Sequence, residues 1–320
     1  MSYKRWLGMV AMVMVAITAL LAAAMLQSIG YVRTERFRAN ATDPYLLTEE
    51  RAFHLRHQEC DVLIYGDSTA LTGVAPQVVQ QRTGLTSCNI SVPVSTLLVL
   101  GTLPVDAYLQ QNRKPRILVL QLGPETLYLS HRWETQAADY PIALLLRDQP
   151  TVRALQQLAL HPAQAVLFFW PVTRYRLLPD RGKVATFRQT FGPALQRADQ
   201  QGGLLTLPSP AQTACDTVPR ALASQPDLAW LDEMRQRYAA QGIMVVVRAS
   251  PVPACDPDLV RFQSELAGHV DMNVLPLPIT YFNDRNRHMT AEGARVETEQ
   301  LTDLLSSHLP GRVNTPPAGQ

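Results

Sequence analysis

Hydrophobic and polar positions divide the chain into an apolar leader, a polar connector and a long alternating body. After Lys4 and Arg5, residues 6–32 carry no charged side chain, and residues 9–26 are almost wholly Ala, Val, Met, Leu and Ile. A helix needs about 20 apolar residues to span a bilayer, so the pattern predicts an N-terminal membrane anchor within residues 1–33. A cleaved signal peptide is the alternative, since Ala22-Ala23-Ala24 resembles a small-residue cleavage site. The uncharged stretch outlasts a signal core of about 7–15 residues, which favours the retained anchor. Residues 34–60 read as a polar connector with some helix.

From residue 61 short apolar runs alternate with helical segments, the sequence form of a parallel sheet with crossover helices. Strands are predicted over 62–65, 88–92, 116–122, 243–248 and 273–276. Helices are predicted over 74–82, closed by Gly84, over 95–111 with a bend near Pro104, over 227–241 and 257–267, and in a last segment ending near 309. The strands are continuously hydrophobic, as expected of strands covered on both faces. Between about 125 and 225 the alternation lapses into apolar stretches at 140–146, 152–160 and 165–170, with basic residues at Arg174, Arg176 and Arg181. This reads as a helical insertion packed on the sheet and covering the site, or else as an amphipathic surface facing the membrane. Its run at 165–172 is too short to span a bilayer, which takes about 20 residues. The body therefore spans 61–309, and the Pro- and Gly-containing tail, 310–320, is expected to be flexible.

Composition narrows the function classes. Of the 320 residues 47% are hydrophobic and 18% charged, enough apolar material for a substantial core. A net charge of +2, with no basic stripe interleaved with aromatics, excludes nucleic acid as the expected partner. The four cysteines, Cys60, Cys88, Cys215 and Cys255, form no Cys-x-x-Cys pair, which removes zinc ribbons and thioredoxin-like motifs. An even number beyond a hydrophobic leader fits two disulfides in an oxidising compartment, with buried free thiols as the alternative. Cys60 and Cys88 begin two apolar runs expected to be neighbouring strands, and Cys215 and Cys255 flank the later core, which favours disulfides. Lys4 and Arg5 are matched by Arg33, Arg36 and Arg38 across the leader, so positive charge alone does not orient it. Cysteine usage then places the body in the periplasm or another extracytoplasmic space. His54 and His57 lack further ligands nearby and read as surface residues, so neither metal nor cofactor is expected.

The candidate chemistry begins where the first strand stops, at Val62-Leu63-Ile64-Tyr65-Gly66-Asp67-Ser68. A buried strand ending in glycine can hold a small hydroxyl residue rigidly at a sheet edge. Near the C-terminus stands Tyr281-Phe282-Asn283-Asp284-Arg285-Asn286-Arg287-His288-Met289-Thr290-Ala291-Glu292-Gly293-Ala294, just before the last helix. In a doubly wound fold both ends reach one edge, so Ser68 could act as nucleophile, His288 as its base and Asp284 as the acid orienting the imidazole.

With these two blocks the chain resembles the SGNH, or GDSL-like, hydrolase superfamily over about 61–309. Gly66-Asp67-Ser68 is similar to that family's first block, and Asp284 to His288 to its last, usually written Asp-x-x-His-Leu. The resemblance implies a flavodoxin-like three-layer sandwich and an esterase, lipase, deacetylase or acyltransferase. It places the oxyanion donors at the Ser68 and Ser91 backbone N–H groups. It also sets Glu125, in Gly123-Pro124-Glu125-Thr126, where the family carries an amide donor. Here the Asp-to-His spacing is one residue longer than the family's, and an ionised Glu125 would repel an oxyanion. Combined with the leader, the resemblance extends to anchored envelope-modifying proteins such as those of alginate O-acetylation and teichoic acid D-alanylation. It implies an inner-membrane, single-pass protein acting on a cell-envelope glycan or acyl donor beside a membrane-embedded acyltransferase. The alternative it leaves is a catalytically inactive accessory or glycan-binding partner.

Overall fold

The computed structural model describes residues 2–40, 42, 44–129, 150–160, 172–173, 176–223, 225–285 and 287–308. The chain divides into two compact units, one of residues 1–43 and 134–186 and the other of residues 44–133 and 187–320. The expected connector is thus shared between them, and the expected insertion contributes to both.

In the first unit, α1 (Tyr3–Val32) is a 30-residue helix, long and apolar enough to cross a membrane, whose apolar window is wholly exposed. At about 1.5 Å per residue such a helix exceeds the roughly 30 Å of a hydrocarbon core. Its last turns are buried at Ser28, Ile29, Tyr31 and Val32. There it meets α2 (Glu35–Asn40), whose Phe37 ring lies edge-on to Tyr31 at 5.6 Å. The stretches at 140–146 and 165–170, Arg174 and the tail lie outside the described residues.

The second unit is α/β. It opens with α3 (Pro44–His54), followed by β1 (Val62–Gly66), α4 (Ser68–Gly73), α5 (Pro76–Thr83) and β2 (Ser87–Asn89). Next come α6 (Val94–Leu100), α7 (Leu103–Gln111), β3 (Ile117–Leu122) and a 3-10 turn at Pro124–Tyr128. Helix α8 (Thr151–Leu160) belongs to the first unit, and α9 (Arg181–Gln200) enters the second partway along its length. The chain then runs through α10 (Ala229–Ala239), β4 (Met244–Ala249), β5 (Val252–Pro253), α11 (Leu259–Glu265), β6 (Pro276–Leu277) and α12 (Ala291–His308).

Strands β1 to β4 form a parallel sheet in the order β2-β1-β3-β4, and β5 pairs with β6, also in parallel. Side chains alternate across the sheet, as strand geometry requires. Leu63, Tyr65, Leu118, Leu120 and Val247 pack under Val105, Tyr108, Leu231 and Phe262 of the helices on one face. Val62, Ile64, Val119 and Val246 pack against Val79, Leu301 and Leu305 on the other. Both faces are covered, which is why the strands read as unbroken apolar runs.

Two elements differ from expectation. The long helix predicted over 95–111 is two helices, because Gly101 takes φ 53° and ends the first; Pro104 sits in the first turn of the second, where it needs no N–H partner. The strand at 88–92 shortens to Ser87–Asn89, although Ile90 N and Val92 N still donate to Ile64 O and Gly66 O. The segment after Phe187 packs into the α/β unit, where Ala194 and Ala198 meet Leu71 and Leu205. Both disulfides form, Cys60–Cys88 and Cys215–Cys255.

Candidate active site

The sheet order reverses between β2 and β3 on either side of β1, so the carboxyl end of β1 is the switch point at which open α/β sheets generally bind ligands. Gly66 ends that strand because no other residue fits: a Cβ there would lie 1.7 Å from Gln121 O of β3. Asp67 then caps α4, accepting from Thr69 N at 2.9 Å and from Thr69 Oγ1 at 2.6 Å. Its second oxygen accepts from Gly123 N at 2.8 Å and Thr126 Oγ1 at 2.5 Å. The buried carboxylate therefore ties the Ser68 turn to the end of β3. Thr69 Oγ1 spends its proton on Asp67, so Ser250 Oγ, 2.6 Å away, donates to it and adds the end of β4 to the same network.

Ser68 is the first residue of α4 and is partly exposed. Its carbonyl accepts from Thr72 Oγ1 at 2.9 Å, and the same hydroxyl accepts from Met289 N at 3.3 Å. One threonine side chain thus joins the Ser68 helix to the residue after His288. Among the described residues no hydrogen bond links Ser68 Oγ directly to the His288 ring.

His288 is buried, and its Nδ1 lies 2.7 Å from Asp284 Oδ2. With the proton on Nδ1 facing the carboxylate, Nε2 is the basic nitrogen, the tautomer a general base requires. The four-residue spacing closes because the segment folds back on itself. Arg287 N donates to Asp284 O at 3.1 Å, Asn283 N to His288 O at 2.7 Å, and Arg287 adopts φ 62°. Downstream, Gly293 lets α12 pass under Tyr281, whose carbonyl would lie 2.3 Å from a Cβ.

The predicted oxyanion positions fare differently. Ser91 N, expected as an oxyanion donor, donates to Asn89 Oδ1 at 3.0 Å, and Asn89 is anchored by its own amide on Ala70 O and Val74 O. Glu125 is not an isolated charge. Arg287 Nη1 contacts its Oε2 directly, and Arg220 Nη1 lies 3.7 Å from its Oε1. Arg287 is in turn held by Asp256 Oδ2, at 3.2 Å from Nε and 2.9 Å from Nη2, with its guanidinium 5.2 Å from the Phe262 ring.

Sequence reasoning missed Asp67 as a hub, Thr72 as a bridge, and the Arg287 cluster. Asp67 had a local signal, an Asp two residues before a Thr at a helix start. Arg287 and its partners, 31 and 162 residues apart, had none.

Comparison with known proteins returns no match: no family model, no curated protein and no solved structure matches the chain.

Proposed function

We propose that this chain is a membrane-anchored, extracytoplasmic serine-dependent O-acyltransferase or esterase of SGNH type, acting on a cell-envelope polysaccharide or polymer. The observation that carries the reading is the Asp284–His288 pair at 2.7 Å, docked through Thr72 on the helix that Ser68 opens. The strand order β2-β1-β3-β4 fits the flavodoxin-like sandwich that the SGNH resemblance implies. The apolar α1 and the two disulfides support a single-pass inner-membrane protein with a periplasmic body.

Ser68 Oγ attacks the acyl carbonyl carbon while His288 Nε2 takes its proton, and Asp284 stabilises the imidazolium that forms. The carbonyl becomes an oxyanion, collapses to expel the leaving alcohol, and that alcohol takes the proton from His288, leaving an ester on Ser68. A second hydroxyl, from an acceptor polymer or water, attacks this ester with His288 again as base. The Ser68 N–H is the remaining backbone donor of the predicted pair. One oxyanion donor is worth about 2.7–4 kcal/mol in kcat, so an enzyme with a depleted hole is slow rather than inert.

The test is labelling of the purified full-length protein by a serine-directed phosphonate, with acetate release from an aryl acetate. Wild-type protein is expected to label at Ser68 and release acetate, and Ser68→Ala to do neither. Equal behaviour of the two would sink the enzyme reading. The engaged Ser91 N–H and the carboxylate at Glu125 favour one other reading, a noncatalytic accessory or glycan-binding partner of a membrane-embedded acyltransferase.

A further inference from the structure

Both cysteines of the second disulfide are followed directly by an aspartate, Asp216 after Cys215 and Asp256 after Cys255. Each aspartate holds an arginine of the turn that carries the Asp284–His288 pair. Asp216 Oδ1 lies 3.1 Å from Arg285 Nε, and Asp256 Oδ2 takes two hydrogen bonds from Arg287 at 3.2 and 2.9 Å. Arg285 follows Asp284 and Arg287 precedes His288, so both grips fall between the paired residues. The chain before and after Cys215 lies along the same turn. Gln212 N donates to Phe282 O at 2.7 Å, and the Arg220 guanidinium donates to Arg285 O.

The two grips are unequal. Arg285 is 82% exposed, and an exposed ion pair contributes little. Arg287 is buried, lies between Asp256 and Glu125, and its backbone at φ 62° is in the left-handed region that a non-glycine residue rarely occupies. Such a conformation persists only where the surroundings over-determine it. Here the surroundings are the backbone bonds within the turn, the Phe262 ring and the two carboxylates, one of which is adjacent to the disulfide. If the backbone at 287 relaxed to the right-handed region, the direction in which the next residue leaves the turn would change, and the next residue is His288.

We propose that the Cys215–Cys255 disulfide, acting through Asp256 and Arg287, is the device that positions His288 against Asp284. Arg287 and Asp256 are positioning residues, and the inference rests on the catalytic reading of His288 only for its effect on rate.

The test uses full-length protein in detergent micelles, comparing wild type with Cys215→Ser/Cys255→Ser, Asp256→Asn, Asp256→Glu and Arg287→Gln. Two readouts are followed: hydrogen exchange of the amides at 283, 287 and 288, and the downfield proton resonance of the His288 Nδ1–H. The double cysteine variant, Asp256→Asn and Arg287→Gln are expected to exchange these amides at least about tenfold faster, with β1 and β3 protection unchanged. The same variants are expected to lose the downfield resonance, and Asp256→Glu, which keeps the carboxylate, to retain it. Unchanged exchange at 283–288 in the double variant overturns the proposal. If that variant loses β1 and β3 protection, Asp256→Asn, with both disulfides intact, decides by the same readouts. Neither readout requires turnover, so absence of phosphonate labelling at Ser68 would count against the proposed function and leave this inference standing.

Discussion

Two buried arginines, Arg248 and Arg287, each 1% exposed, show how the same chemistry serves different ends in two regions of this protein. Arg248 stands on β4 and pairs with Glu297 of α12 at 2.9 Å, with neither side chain exposed to any measurable degree. Gln121 Nε2 donates to the other Glu297 oxygen at 2.9 Å, so strand β3, strand β4 and helix α12 meet at one carboxylate. Arg287 stands on a turn, in a left-handed conformation, between carboxylates on two other loops. The first arginine joins regular elements that hydrophobic packing already brings together. The second holds irregular chain, a turn flanked by the buried Phe282 and Met289. A buried ion pair is weak evidence for net stability, because desolvation offsets most of the attraction. Its value lies in specifying geometry, and only at Arg287 is that geometry next to the candidate chemistry.

The comparison predicts that damage near the turn registers in rate and damage under the sheet registers in stability. The largest effect is expected from Asp284→Asn, which leaves the turn intact but favours the wrong imidazole tautomer. Acetate release should fall by about 10⁴-fold, by analogy with triad acids generally, while the urea midpoint barely moves. A fall of less than about tenfold would remove Asp284 from the orienting role.

Next in size is an asymmetry within the sheet-side pair. Glu297→Leu strands a guanidinium that cannot deprotonate, and chemical denaturation should show a loss of about 3–5 kcal/mol. Arg248→Met should cost clearly less, because the Glu297 carboxyl can take up a proton instead. Equal losses in the two variants would contradict this account. In both, phosphonate labelling per folded molecule should match wild type.

The smallest expected effect is on pH dependence. Burial raises the Glu297 carboxyl from its ordinary value near 4.5 to about 7, against the opposing pull of Arg248 and Gln121. Between these values the native state holds a proton that the unfolded chain has released, so this group's contribution to stability declines as pH rises from about 4.5 through about 7. Urea midpoints across that window should show the decline in wild type and a flatter profile in Glu297→Gln. A profile that Glu297→Gln leaves unchanged would assign the dependence to other groups.

The sequence made the central sheet legible because its strands are buried on both faces and therefore continuously apolar, as at Val62–Gly66 and Ile117–Leu122. Gly84, at φ 71°, closed α5 where a glycine after a helical run suggested it would. Ser68, Asp284 and His288 were readable as candidates because the chain end of a first strand and the approach to a last helix converge in any doubly wound sheet. The break at Gly101 and the short β2 were not readable, since one depends on a single backbone angle and the other on how far two strands stay in register.

By itself, then, the sequence determined the apolar leader, the parallel sheet and the residue types available for chemistry at its edge, because these follow from local hydrophobic pattern and turn propensity. Only the tertiary structure decided which partner each polar group takes. Asn89 occupies the Ser91 N–H, Asp67 unites the ends of β1 and β3, and two carboxylates far apart in sequence hold Arg287 in an otherwise unfavourable conformation. The first of these is local, an asparagine taking the N–H two residues on, whereas the Asp67 and Arg287 pairings depend on which buried donor and acceptor the packing of distant elements brings together.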